Sequence, residues 1–414
     1  MRRNPGFLLA LALTMTISSA GRAAEPGQFP QDPTFSTLIT TPLAIEGLTG
    51  DSTGNLYTTG RASEGTACPV WRINLNNPSL DQIGSIPTGC GASGITLDNA
   101  GNIYIADSSS GGRIWQLTSA NMNPTIPFAT GVSGTNGLAF DKQGNLWTGD
   151  GTTGQGRVWK ITGSGANCAP PSPVNCAEVL RVQPMAATGV ELGLRFGSGA
   201  TFGSSVTAVG RDVRTLPPGT INASRAATDT AGSQPLVANG VAFTRNGDLL
   251  ILDTARGAIW RAQFNSDGTL KSETDCDPVF APGTLCLANI LVAHPLIEGA
   301  DGFVLDEAGN LWIDANERNA VVAVTANNRV VEIFRNQPDA TTHLRNAGPL
   351  ETPTSPFISG QTFCTSNSDG NRRDNSPNTA GEIGGPGQDR GKISCMNEPL
   401  QIPGLPLPIN NEGI

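Results

Sequence analysis

The chain is poor in the residues that most often build catalytic centres. Its 414 residues include only two histidines, His294 and His343, and no two of its eight cysteines form a Cys-x-x-Cys pair. That argues against a zinc site, which draws its ligands from those residues. Charge is sparse as well, at 15% of residues, and the balance is acidic, with a net charge of −9. Nucleic acid and anionic membrane surfaces are therefore poor partners. The apolar run from Phe7 to about Ile17 falls short of the ~20 residues of a membrane span. It follows Arg2 and Arg3 and precedes small residues, Ser18 to Ala24, as a signal peptide over residues 1–24 would. The expected location is periplasmic or secreted. The paired arginines fit a twin-arginine exporter only in part, so ordinary secretion is the expected route.

An exported chain with an even number of cysteines is expected to form disulfides. Sequential pairing is the simplest of roughly one hundred connectivities. It joins Cys68 to Cys90, Cys168 to Cys176, Cys276 to Cys286, and Cys364 to Cys395.

Glycine and proline are plentiful, at 51 and 30 residues, and suit many short strands joined by tight turns. One sentence is written five times: IEGLTGDSTGNLYTTG from Ile45, ASGITLDNAGNIYIAD from Ala92, TNGLAFDKQGNLWTGD from Thr135, ANGVAFTRNGDLLILD from Ala238 and GADGFVLDEAGNLWIDA from Gly299. Each is two short apolar runs around a Gly-Asn or Gly-Asp turn, which reads as a β-hairpin. A third strand follows, carrying Trp in four copies (VWRI, RIWQL, RVWKI, AIWRA) and none in the fifth (AVVAV). A less regular fourth strand completes several copies. This is the blade of an all-β propeller of four-stranded antiparallel sheets. Three degenerate strands near the C-terminus, SPFIS, QTFCTS and KISCM, supply a sixth blade, closed by FSTLITT (Phe35 to Thr41) from the N-terminal side. Six blades over residues 35–400 is the expected count, with seven as the alternative. Two stretches, 184–236 and 367–391, interrupt the rhythm. Blade geometry puts both over the face carrying the tips that precede each first strand, as cover or as disordered decoration.

Those tips share a pattern: one short polar residue, then Gly. They are Glu46, Ser93, Asn136, Asn239 and Asp301. Inner strands begin around a propeller's central channel, so the five should surround one point. Two carboxylates and two amides without His or Cys describe a hard divalent-cation site, Ca²⁺ before Zn²⁺. The alternative is polar tips that hydrogen-bond one another across a wet channel.

The arrangement resembles the six-bladed propellers of the senescence-marker-protein, gluconolactonase and luciferin-regenerating-enzyme family. ANGVAFTRNGDLLILDTARGAIWRAQFNSDGTL is similar to its Asn-Gly blade, and GADGFVLDEAGNLWIDA to its Asp-Gly blade. The resemblance implies one divalent metal on Glu46, Asn136, Asn239 and Asp301, with a blade between the first two supplying no ligand. It also implies a metal-dependent hydrolase of lactones or related esters, acting on a small-molecule substrate with Asp301 as the catalytic carboxylate. Ser93 and His294 are candidate substrate contacts, His294 because it precedes the Asp-Gly tip; His343 is a weaker one. Ser133, Gly134 and Thr135 stand where family members carry an Arg that grips a sugar lactone. The Gly-Asn turns also resemble NHL repeats, many of which bind partners and catalyse nothing. Oligomeric state is not legible.

Overall fold

The computed structural model describes residues 29–407 except 63–64, 88, 110, 184–235, 279, 298, 338–347 and 369–389. The expected signal peptide, His343 and nearly all of both insertions lie outside the described residues. Among the described residues no helix is long and apolar enough to cross a membrane.

Each hairpin turns because Gly supplies a left-handed residue and Asp closes the loop. Gly54, Gly101, Gly144, Gly247 and Gly309 all have φ between +78° and +88°, a region that costs Gly little. Asp51 accepts the Thr53 and Asn55 amides (2.8 and 3.1 Å), the Asn55 side chain (3.0 Å) and the Tyr57 hydroxyl (2.8 Å). Burial works against ionisation of Asp51. Bonds from Asn55, Thr53 and Tyr57 outweigh it and hold the carboxyl down at about 2. Asp98 with Tyr104, Asp141 with Trp147 and Asp306 with Trp312 repeat the device. Thr244 replaces the Asp in the fourth copy and caps through its hydroxyl.

Six blades result, as the repeats predict. Their inner strands are Ile45–Gly50, Ala92–Leu97, Thr135–Phe140, Val241–Phe243, Ala300–Leu305 and Pro353–Ser359. Second strands end at Gly60, Asp107, Asp150, Asp253, Ala315 and Asn367, beside the tips. Blade 6 is assembled as the sequence predicts: Phe35–Thr41 pairs with Gly391–Met396 as its outer strand and closes the ring. Blade 2 departs from four strands. Ala166–Asn167, from the connection in blade 3 that Cys168–Cys176 closes, adds a short parallel fifth strand to it.

The core is six layers rather than one. Each apolar cluster lies between consecutive blades, from blades 1 and 2 round to blades 6 and 1. Trp71, Trp115, Trp159 and Trp260, one per third strand, are buried in these layers. Val322 stands at the same register in blade 5, in a small separate cluster with Ala315 and Ala320. Each fully buried Leu, Ile or Val stabilises the ring by about 1.5–3 kcal/mol, so no interface is dispensable.

All four sequential disulfides form, and no described cysteine is free. Cys364 and Cys395 face each other across neighbouring strands. The C-terminal segment passes beneath the ring, where the Leu405 amide bonds the Leu305 carbonyl (2.8 Å).

Candidate functional site

The polar-Gly tips meet around the channel, and the reason for Gly is the neighbouring backbone. A Cβ on Gly47, Gly94, Gly137, Gly240 or Gly302 would come within 2.1–2.7 Å of the next blade's tip carbonyl. No other residue permits that approach. The sixth tip, Thr354, lacks the Gly and closes the circle differently: its hydroxyl donates to the Glu46 carbonyl (2.7 Å). The ring is therefore Glu46, Ser93, Asn136, Asn239, Asp301 and Thr354, all at most 5% exposed. Beneath it runs an apolar cavity of about 90 Å³ bordered by all six inner strands, including Leu48, Ile95, Leu138, Val241, Phe303 and Pro356.

Three of the four candidate ligands converge through short contacts. Asn136 Nδ2 donates to Glu46 Oε1 (3.2 Å). An ideal Cβ on Gly151 would sit 2.8 Å from Asn136 Nδ2 and 2.7 Å from Asn239 Oδ1, so both amides border one small gap that Gly151 keeps open. The orientation of Asn239 is settled by its partner. Thr254 donates its own hydroxyl proton to the Ala300 carbonyl (2.6 Å), so it can only accept from Asn239 Nδ2 (3.0 Å). Asn239 Oδ1 is left buried with no hydrogen-bond partner among the described residues. Asn136 differs from the expectation of an oxygen ligand: the acceptor-only Glu46 draws its nitrogen inward, and its amide must turn over to present oxygen.

Asp301, the fourth, is held by Asn316 Nδ2 (2.7 Å at Oδ2). Beside it lies a carboxyl the sequence reading missed. Asp314 is fully buried; burial above all pushes it well above the ordinary carboxylate range, the Asp301 charge adds to this, and a bond from Thr365 opposes it. Among the described residues, Asp314 Oδ1 and Asn316 Oδ1 are, like Asn239 Oδ1, buried without a partner. Arg61 is the other unexpected member. Its guanidinium pairs with Glu46 Oε2, and its Nε donates to the Ala92 carbonyl (2.8 Å).

A signal for Asp314 was present. Second strands of blades 2 to 4 end in Asp107, Asp150 and Asp253, whereas LWIDA places its acid one residue earlier and so on the other face. Asp107 and Asp253 each take the indole N–H of the Trp on the next strand, and Asp150 takes the Arg157 guanidinium. Asp314 instead bonds across to blade 6. Arg61 carried no sequence signal, being one loop residue among many.

The two candidate substrate contacts have other engagements. Ser93 donates to the Thr135 carbonyl (3.1 Å), tying blade 2 to blade 3. His294 follows the outer strand Ile290–Ala293, and its Nδ1 accepts the Leu296 amide (3.1 Å) at the start of a 3₁₀ turn.

No protein-family model matches the chain, and no curated protein matches its sequence. Solved structures do match. A proposed gluconolactonase is 13% identical over 92% of this chain and 98% of its own, with a TM-score of 0.47. A calcium-binding protein, regucalcin, from Agrobacterium tumefaciens is 12% identical over 90% and 95%, with a TM-score of 0.46. The PQQ-bound form of an aldose sugar dehydrogenase from Streptomyces coelicolor is 14% identical over 88% and 99%, with a TM-score of 0.48. The fold thus has neighbours among gluconolactonase-like and regucalcin-like propellers, and at these identities the likeness concerns the fold alone.

Proposed function

We propose that Glu46, Asn136, Asn239 and Asp301 hold one divalent cation, Ca²⁺ by the hardness of their oxygens, and that the chain is an exported hydrolase of lactones or related esters. The observation that carries this reading is Asn239 Oδ1, an oriented, buried acceptor with no partner among the described residues. Leaving such a group unpaired costs about 1–3 kcal/mol, which a bound cation would offset. An all-oxygen set with two carboxylates, Glu46 shared with Arg61 and Asp301, suits Ca²⁺.

When bound, the cation would polarise the substrate carbonyl and stabilise the negative charge that develops on it. The chain's own residues supply the remainder. Asn316 fixes Asp301 through Oδ2, which orients that carboxylate to take a proton from the attacking water. Burial keeps Asp314 toward its protonated form, so it does not compete with Asp301 for that proton; neighbouring carboxyls with environments this different divide acid and base roles. Arg61 balances the charge of Glu46.

The test is a panel of aldonolactones, simple lactones and aryl esters, each assayed with and without EDTA. Turnover of at least one class, lost in EDTA and restored by Ca²⁺, is expected. No metal-dependent turnover anywhere on the panel would favour a non-catalytic, NHL-like propeller that binds a ligand or protein partner.

A further inference from the structure

Outward from the ring, a second groove of about 640 Å³ lies between blades 2 and 3, and three arginines line it: Arg113, Arg157 and Arg181. In a chain with 26 basic and 35 acidic residues, that concentration calls for a physical account. Arg113 and Arg157 begin the third strands of blades 2 and 3 and pair with Asp107 (3.1 Å) and Asp150 (2.9 Å), both fully buried. Neither acid belongs to its arginine alone. Asp107 also accepts the Gly91 and Ser109 amides and the Trp115 indole. Asp150 also accepts the Thr153 amide (2.9 Å) and hydroxyl. Each acid thus serves several donors besides its arginine, and the two guanidinium groups also lie over the Trp115 and Trp159 rings.

The bonding edges point the same way. Arg113 bonds through Nη2, Arg157 through Nε and Nη2, and Arg181 through Nε and Nη2 to Glu178. Among the described residues, Nη1 donates to no group in any of the three, and Arg113 Nε is buried without a partner. Ser133 and Asn167 add neutral polar groups to the same groove.

We propose that this groove binds a small oxyanion: the phosphate, sulfate or carboxylate group of a solute. Planar guanidinium groups with unused N–H donors match the paired oxygens of such groups. The site is separate from the ring. At the ~4.8 Å spacing of neighbouring strands, Arg157 lies about 10 Å and Arg181 about 14 Å outward from the inner strand of blade 3.

Thermal unfolding and calorimetric titration with inorganic phosphate, sulfate and acetate, each against sodium chloride at matched ionic strength, test it. At least one oxyanion should raise Tm saturably where chloride does not, and the strongest of the three names the group. Arg181→Gln and Arg113→Gln should each weaken that binding about tenfold, whereas Asp301→Asn and EDTA should leave it unchanged, which keeps this result apart from the fate of the hydrolase reading. Arg181 pairs with Glu178 at the surface, so its variant tests the groove even if Arg113→Gln fails to fold. Equal effects of oxyanions and chloride, or unchanged affinity in Arg181→Gln, would overturn the proposal.

Discussion

The two ends of the same hairpins are built on opposite terms. At the turn end, Asp51, Asp98, Asp141 and Asp306 each collect amide, side-chain and aromatic donors. At the tip end, Asn239, Asp314 and Asn316 bury oxygens that no described residue satisfies. Buried polar atoms are ordinarily paired, and the exceptions ask for a reason. The contrast separates two tasks: saturated turns hold the blades, and the less saturated tips are where the proposed function places its cation. Tip glycines serve both, bringing six backbones close enough to make one ring.

Breaking the turn end should have the largest effect on folding. Asp306→Ala strands the Ala308 and Asn310 amides, the Asn310 side chain and the Trp312 indole. A loss of roughly 3 kcal/mol is expected in urea unfolding, with cation affinity unchanged once the protein is folded. Breaking the tip end should do the reverse. Asp301→Asn keeps the shape and removes one charge, so calorimetry should find Ca²⁺ affinity reduced about tenfold or more, turnover lost, and stability in EDTA altered by less than about 1 kcal/mol.

A smaller effect concerns pH. The Asp314 carboxyl is raised in the fold, so the folded state binds its proton more tightly than the unfolded chain does. Its contribution to stability is complete below the ordinary value of 3.8 and is lost as pH rises through the raised one. Asp314→Asn should flatten that part of the stability profile in EDTA, and the parent should lose stability relative to the variant as pH increases from about 4. A parallel pair of curves would contradict the assignment. The smallest effect is expected from Ser93→Ala, on a blade that supplies no ligand. It removes one hydrogen bond to the Thr135 carbonyl, costs about 1 kcal/mol, and should leave Ca²⁺ affinity nearly unchanged.

Much of this was legible because repeats expose their own rules. Period-two apolar runs around Gly54, Gly101, Gly144, Gly247 and Gly309 specify the hairpins, and the blade order follows. Disulfides were legible for a related reason: Cys364 and Cys395 already lay on neighbouring strands. The misses share a cause in tertiary placement. Thr354 was missed because the sixth tip lacks Gly. Asp314 and Asn316 reach Asp301 from the second strand and the loop beyond it, while the pattern followed only first strands. The inward nitrogen of Asn136 depends on a bond to Glu46, 90 residues away, which no local pattern records.

The central claim is that the four tips form a cation site, and the most direct measurement is a crystal structure grown in saturating Ca²⁺. One ion is expected with side-chain oxygens of Glu46, Asn136, Asn239 and Asp301 about 2.3–2.6 Å away, the Asn136 amide having turned over to present its oxygen. Tips that keep the Asn136–Glu46 hydrogen bond and hold no ion under those conditions would contradict the account.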